Sequence, residues 1–451
     1  MKTHRLPLLL ATLGIFANAC GPAQPTTFTV KLSNVATDWK YLKAGSFSTP
    51  VGKVSPGPIR PGDKYEITFT AGVGHRLSFA AMFGASNDWF FAPAPEGIAL
   101  YANGEPVSGD VTSQIHLYNA GTEVDEEPGV GPDTGPKQAT PDQGAPDTDK
   151  TVREIVRPTP LADGTTFNTP AVDQMIRVTL TPTTQVHEFK LTVENVSQAD
   201  TLMTSQGAAT VGISPGVYVI HSQPNALFTL GQPDRGQGLE LIAESGRITQ
   251  QLDNANLASG VATGFSPLVY VVHSSGKPLF AEGSADRGQG LELIAESGRV
   301  AMLSDALHAA PLPDSSASGT VTMPEGATSA GPIAPGSDYS FQIEARPGDR
   351  FSFASMFGAS NDWFAGVSDD GLALFDAQGK PVSGDFTSSL VLWDAGTEQN
   401  EEPAVGPNTG PQQKTPESGP ADSDNRVRKV DGNTYPVPLS KHLSLTITPK
   451  S

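Results

Sequence analysis

The chain has 451 residues, a length that suggests two to three domains, and 37% of them are hydrophobic. The formal net charge of −19 argues against a nucleic-acid partner, which would need clustered Lys and Arg, and suits cation binding and solubility outside the cell. One Cys excludes an internal disulfide, and 47 Gly with 39 Pro favour short strands joined by turns.

Residues 1–20 read as an export signal: a basic start at Lys2, His4 and Arg5, then a short apolar run from Leu6 to Ala17, too short to span a bilayer. Ala17-Asn18-Ala19-Cys20 leaves two readings open. Cys20 is lipidated as in a bacterial lipoprotein, or cleavage at the small residues releases a secreted protein. The membrane is expected to be touched only through a lipid on Cys20. The expected location is the outer membrane, cell surface or periplasm, or the medium if the chain is released.

Beyond the signal the pattern is one of strands. Phe28–Leu32, Tyr65–Phe69 and Phe189–Val193 alternate apolar and polar residues, as half-buried strands do. GHRLSFAAMFGASNDWF at 74–90 returns as GDRFSFASMFGASNDWF at 348–364, and the stretch 97–136 returns at 371–411. DRGQGLELIAESGR occurs at 234–247 and again at 286–299, each time after SPGVYVIHS or SPLVYVVHS. The expected division is a first domain over 26–183 lacking the helix-bearing segment, a partial repeat over 187–263, and a more complete domain over 264–450. One short helix is expected over Gly238–Ser245 and another over Gly290–Ser297, each ended by a Gly and capped by Asp234 or Asp286. Gly-x-Gly before each helix suits a tight turn better than a phosphate cradle, because the third Gly of a dinucleotide site is missing. The acidic, Pro-rich stretches 124–150 and 399–424 read as long, mobile loops. A strand lent by 187–263 to the first domain is a further expectation.

Two motifs carry chemistry. Ser-Asn-Asp-Trp ends a strand at Asp88-Trp89 and again at Asp362-Trp363. The element Asn/Asp-Ala-Gly-Thr-Glu sets two oxygen-bearing side chains four apart across a Gly bend, at 119–123 and 394–398. Calcium takes six to eight hard oxygen ligands in flexible geometry, and these residues offer them. The other reading is a turn that anchors a core Trp, with Asp capping the backbone. The acidic runs at Asp125–Glu127 and at Glu401 and Glu402 are either solvated loop or a steering field for cations. His221 and His273 read as satisfied strand-end histidines, since a transition metal would need a cluster. No nucleophile elbow, P-loop or catalytic Cys is present, so the chain is read as a non-enzyme.

These residues resemble the spondin family. The segment 266–298, the run Met356–Trp363 and Trp393-Asp394-Ala395-Gly396-Thr397 resemble three successive elements of the spondin domain, and Met82–Trp89 with Tyr118–Thr122 resemble the last two. The resemblance implies mainly β structure: tandem C2-like antiparallel β-sandwiches, with one or two short helices in the second unit. It also implies a bound Ca2+ held by Asp362, Asp394 and Glu398 in the second copy and by Asp88, Asn119 and Glu123 in the first. Glu stands where the family usually has Asp at the last position of both, and Asn119 removes one charge. The function expected is exported, calcium-dependent binding or adhesion, with a carbohydrate or protein of the surface or envelope as ligand. The alternatives are a purely structural envelope lipoprotein and, further off, a carboxylate-dependent hydrolase.

Overall fold

The computed structural model describes residues 24–450 apart from 38, 136, 310–313, 411, 414, 433 and 436, so the export signal and Cys20 lie outside the described residues. In chain order the principal strands are β1 (Thr26–Asn34), β2 (Lys43–Phe47), β3 (Lys64–Thr70), β4 (Arg76–Phe83), β5 (Trp89–Pro93), β6 (Ile115–Asn119), β7 (Ile176–Pro182), β8 (Glu188–Asn195) and β9 (Ile213–His221). Helices α1 (Leu239–Ser245) and α2 (Thr249–Leu257) follow, then β10 (Phe265–His273), α3 (Leu291–Ser297) and α4 (Ala301–Ala309). The chain ends with β11 (Ser315–Val321), β12 (Asp338–Ala345), β13 (Arg350–Phe357), β14 (Trp363–Gly366), β15 (Val391–Asp394) and β16 (Leu443–Pro449).

The fold is mainly β, built from antiparallel sheets that face one another in sandwich-like pairs. In the first unit β3, β8 and β7 form one sheet with Gly109–Asp110, and β6, β5, β4, β9 and β2 form the other with Arg153–Glu154. Phe69, Leu191 and Val178 from one sheet meet Phe79, Phe91 and Leu117 from the other in a shared core. The second unit repeats the plan: β12, β1 and β16 with Gly384–Asp385 face β11, β10, β13, β14 and β15 with Arg428–Lys429. On the outer face of the larger sheets lie the helices. Leu239, Ile242 and Ala243 of α1 cover Ala80, Phe90 and Val219, and Leu291, Ile294 and Ala295 of α3 cover Val271, Ala354 and Phe364. Strands β4 and β13 are therefore buried on both faces, which is why they read as apolar and small residues rather than as an apolar–polar alternation.

The pairings cross the boundaries expected from the repeats. β1 lies between β12 and β16, with Phe28 opposite Ile343 and Pro449, and so belongs to the second unit. β8 lies between β3 and β7, and β9 joins β4 to β2, so the stretch after residue 187 completes the first unit. The first unit does not lack the helix-bearing segment: α1 follows it in sequence and folds back onto it. Helices are thus present in both units, in pairs, rather than only in the second. The paths exchange where Tyr41 bridges Ser259, with backbone hydrogen bonds Tyr41 N–H to Ala258 O at 3.2 Å and Gly260 N–H to Tyr41 O at 3.0 Å.

Local chemistry explains the repeated Ser-Pro in β9 and β10. Each Pro sits at a register shift, where the ladder is interrupted. The preceding Ser supplies an acceptor there for the facing strand: Ser214 Oγ accepts the Met82 N–H at 2.8 Å, and Ser266 Oγ accepts the Met356 N–H at 2.9 Å. No helix among the described residues is long and apolar enough to cross a membrane.

Candidate metal centres

Each candidate centre begins with the turn that ends β4 or β13. Ser86 Oγ donates to Phe83 O at 2.8 Å and accepts the Trp89 N–H at 3.0 Å, and Ser360 does the same with Phe357 and Trp363. Serine thus makes the turn, and both tryptophans are fully buried beneath it. Asn and Asp are left to face the bend that follows β6 or β15.

There the two units agree closely. Asp88 Oδ2 accepts the backbone N–H of Thr122 at 3.1 Å and of Glu123 at 3.2 Å. Asp362 Oδ2 accepts those of Thr397 at 2.9 Å and Glu398 at 3.0 Å. Asn87 Nδ2 donates to Val124 O at 2.7 Å, and Asn361 Nδ2 to Gln399 O at 2.8 Å. Glu123 Oε1 accepts the Gly144 N–H at 2.6 Å, and Glu398 Oε1 that of Gly419 at 2.7 Å. Each side chain has then spent one polar end on the backbone. What remains is the same in both units: Asn Oδ1, Asp Oδ1 and Glu Oε2, all buried and without a hydrogen-bond partner. Buried oxygens of this kind are costly unless something positive meets them.

Electrostatics agree. Burial, with Asp394 adding to it, pushes the Asp362 carboxyl up to about 8. Burial and the nearby Asp125 push Asp88 well above the usual carboxylate range. Burial raises Glu123 to about 7 and also raises Glu398. The donor set is all hard oxygen, so the residues present fit a calcium-type ion.

The predicted residues divide. Asp88 and Glu123 lie side by side through the Glu123 N–H, and Asp362 and Glu398 through the Glu398 N–H. Asn119 and Asp394 do something else with their side chains. Asn119 Oδ1 accepts the Gly121 N–H at 2.5 Å, and Asp394 Oδ1 that of Gly396 at 2.6 Å, so both close the bend. The second atom is also engaged: Asn119 Nδ2 donates to Asp125 Oδ1 at 2.8 Å, while Asp394 Oδ2 accepts from Asn400 Nδ2 at 2.7 Å and pairs with Arg428 at 2.6 Å. Asn and Asp have traded places between positions 119 and 125 and positions 394 and 400. The charge missing at Asn119 is present at Asp125, which also pairs with Arg153 at 3.4 Å and accepts from Trp89 Nε1 at 2.5 Å.

Sequence reasoning missed Asn87 and Asn361, although both stand inside the repeated Ser-Asn-Asp-Trp. It also missed a group on α1. Ligand oxygens of Asp142, Glu240 and Glu244 all lie within 4.8 Å of one another. Glu240 and Glu244 are four apart on a helix, a spacing that puts both on one face. These three carboxylates can hold a divalent cation.

The acidic stretches are tied down rather than loose. Gly129 N–H donates to Ala85 O at 2.7 Å, Gly135 N–H to Ser86 O at 3.0 Å and Gly410 N–H to Ser360 O at 3.0 Å, folding each stretch over its turn. Glu126 and Glu401 accept backbone N–H groups of their own loops, Glu127 accepts from Ser205, and Glu402 reaches Lys43 and Thr70 of the other unit. Asp234 Oδ2 accepts the Gly236 N–H at 3.1 Å and so caps the turn, whereas the α1 N-cap is Gly238, with no side-chain cap. The same holds for Asp286 and Gly290 at α3. His221 and His273 are satisfied at both ring nitrogens by a Ser hydroxyl and a backbone carbonyl.

Residues 258–415 match the Spondin_N family model. That match covers the second unit from the crossover through the Trp-Asp-Ala-Gly-Thr bend and its acidic loop. It does not extend to the first unit. No curated protein matches the chain.

Proposed function

We propose that this chain is an exported calcium-binding protein of spondin type, whose two C2-like sandwiches each hold one ion and present the loops it orders to a ligand outside the cell. The observation that carries this is the matched trio of unpartnered buried oxygens, Asn87, Asp88 and Glu123 in one unit and Asn361, Asp362 and Glu398 in the other. Calcium would supply there the positive charge that three buried oxygens lack. Asp394 and Asn119 act behind them, closing the bend that carries the Glu. The two acidic loops run over the same turns, so ordering the centre orders the loop surface, and such surfaces are where recognition residues are commonly carried. The spondin match and the basic, apolar start of the chain support a role at the cell surface or beyond, with Cys20 as the lipid anchor. A carbohydrate or protein ligand suits such loops, and no catalytic role is proposed.

Thermal unfolding with calcium and with chelator tests the reading. At a calcium concentration 100-fold above Kd, binding to the native state alone adds about 2.7 kcal/mol. Asp88→Asn and Asp362→Asn keep the backbone hydrogen bonds and remove the charge, and each is expected to remove part of the shift. No calcium shift in the wild type would sink the proposal. A shift without calcium-dependent binding to glycan or matrix surfaces would leave the structural envelope role.

A further inference from the structure

The carboxylates on α1 are none of the trio residues, although Glu244 lies close enough to Glu123 to act on it. Glu240 and Glu244 come from the helix, and Asp142 comes from the acidic loop that folds over the first unit. Glu244 is 1% exposed, and its Oε1 has no hydrogen-bond partner. Its Oε2 accepts the Asp142 N–H at 2.8 Å, so loop and helix are already in register.

The second unit shows what a completed version looks like without an ion. There Glu296 Oε2 accepts the Glu417 N–H at 2.7 Å and Oε1 accepts the Thr397 hydroxyl at 2.8 Å, leaving neither oxygen unpartnered. Both threonine hydroxyls reach their aspartate, Thr122 to Asp88 at 3.4 Å and Thr397 to Asp362 at 3.3 Å, but only that of Thr397 also bonds the helix glutamate. Thr122 eases the burial of Glu244, whose Oε1 is nonetheless left without a hydrogen-bond partner within reach. The loop residue differs as well: the shorter Asp142 replaces Glu417, and its carboxylate meets that of Glu240. Among the described residues no Lys, Arg or His pairs with any of the three.

We infer that Asp142, Glu240 and Glu244 form a further divalent-cation site, beside the trio of the first unit and built from other residues, that fastens the acidic loop of that unit to α1. Oxygens bound at about 2.3–2.6 Å from one ion lie within about 5 Å of each other, as these do. The all-carboxylate set selects a hard cation such as calcium over zinc or copper. Glu244 also lines a cleft of about 520 Å³ together with Gln138, Thr140 and Arg247. In the second unit Glu292, Glu296 and Glu417 stand at the equivalent positions, but among the described residues their oxygens do not gather within the same distance, and Glu296 is satisfied.

Calcium stoichiometry of the full secreted chain, measured by native mass spectrometry and by titration calorimetry with calcium alone, decides it. Three ions per chain are expected. Glu240→Gln and Asp142→Asn should each remove one while leaving the ions lost in Asp88→Asn and Asp362→Asn in place. Tryptic cleavage after Lys137 gives a second readout, independent of stoichiometry: calcium should protect the wild type, and Glu240→Gln should lose that protection. If both α1-site variants bind as many ions as the wild type and keep the protection, the inference is wrong. If Glu240→Gln removes an ion and Asp88→Asn and Asp362→Asn remove none, the inference stands and the reading of the trios falls.

Discussion

A carboxyl group held above its ordinary range is a record of what its surroundings lack. Asp362 at about 8, Glu240 at about 8 and Glu123 at about 7 are all raised first of all by burial. In the folded chain they keep protons that the unfolded chain releases near pH 4, so without an ion each loses stability as pH rises through that window. The buried histidines act oppositely. His221 and His442 are lowered to about 4 by burial, so they add stability as pH rises towards 6.5 and nothing beyond. From pH 6.5 to 8 the carboxyls therefore govern. In chelator the melting temperature should fall across that interval, and with saturating calcium the fall should vanish; a flat profile in chelator would contradict the geometry. The Asn119/Asp125 exchange makes a second expectation at this scale. Asn119→Asp alone sets two buried carboxylates against each other and should cost about 1–3 kcal/mol. Adding Asp125→Asn recreates the arrangement of Asp394 and Asn400 and should recover most of the loss in a double-mutant cycle read by urea unfolding.

At the scale of the element, α1 and α3 show how far local sequence decides structure. Gly246 has φ 66° and donates to Ile242 O at 2.9 Å, while the Arg247 N–H reaches Leu241 O at 3.0 Å, a closing pattern readable from the Gly alone. A Cβ there would stand 2.7 Å from Ser214 Cβ. Gly246→Ala should thus destabilise the first unit by about 1–2 kcal/mol or more, measured by its denaturant midpoint. The strands that alternate, such as β1 and β8, were legible, as were the turns and the repeated Ser-Asn-Asp-Trp. The helices α2 and α4 were not, because α2 buries only Gln251 and Ala255 and α4 only Leu303 and Leu307, too few to make a periodic stripe. The roles of Asn119 and Asp394 were also hidden, since spacing reports which oxygens are near and not which hydrogen bonds occupy them. Partner choice among strands was least legible: β1 and β8 carry the same alternation, which does not say which sandwich each completes.

For the whole molecule, that equivalence is what allows the exchange. Phe28, Val30 and Leu32 are buried in the core of the second unit, although 258 and beyond hold the rest of it. Leu32→Ala should cost about 2–5 kcal/mol. The loss should appear in the transition reported by Trp363 and Trp393, and a signal from Trp89 should stay in place; the reverse would overturn the pairing. Glu402 ties the units further, bonding Lys43 Nζ at 3.1 Å and Thr70 Oγ1 at 2.9 Å across the junction.

The placing of β1 also sets an order of events. A ribosome delivers this strand first, yet its partner β16 is delivered last, with Phe28 opposite Pro449. Residues 43–257 hold every principal strand and both helices of the first unit, so that unit can close while the rest is still being made. Until β12 is made β1 has no partner strand, and until the end of the chain arrives its other edge stays open. A chain stalled short of β16 would therefore carry a finished first sandwich with an open strand edge beside it, a form that holding chaperones and proteases are equipped to meet.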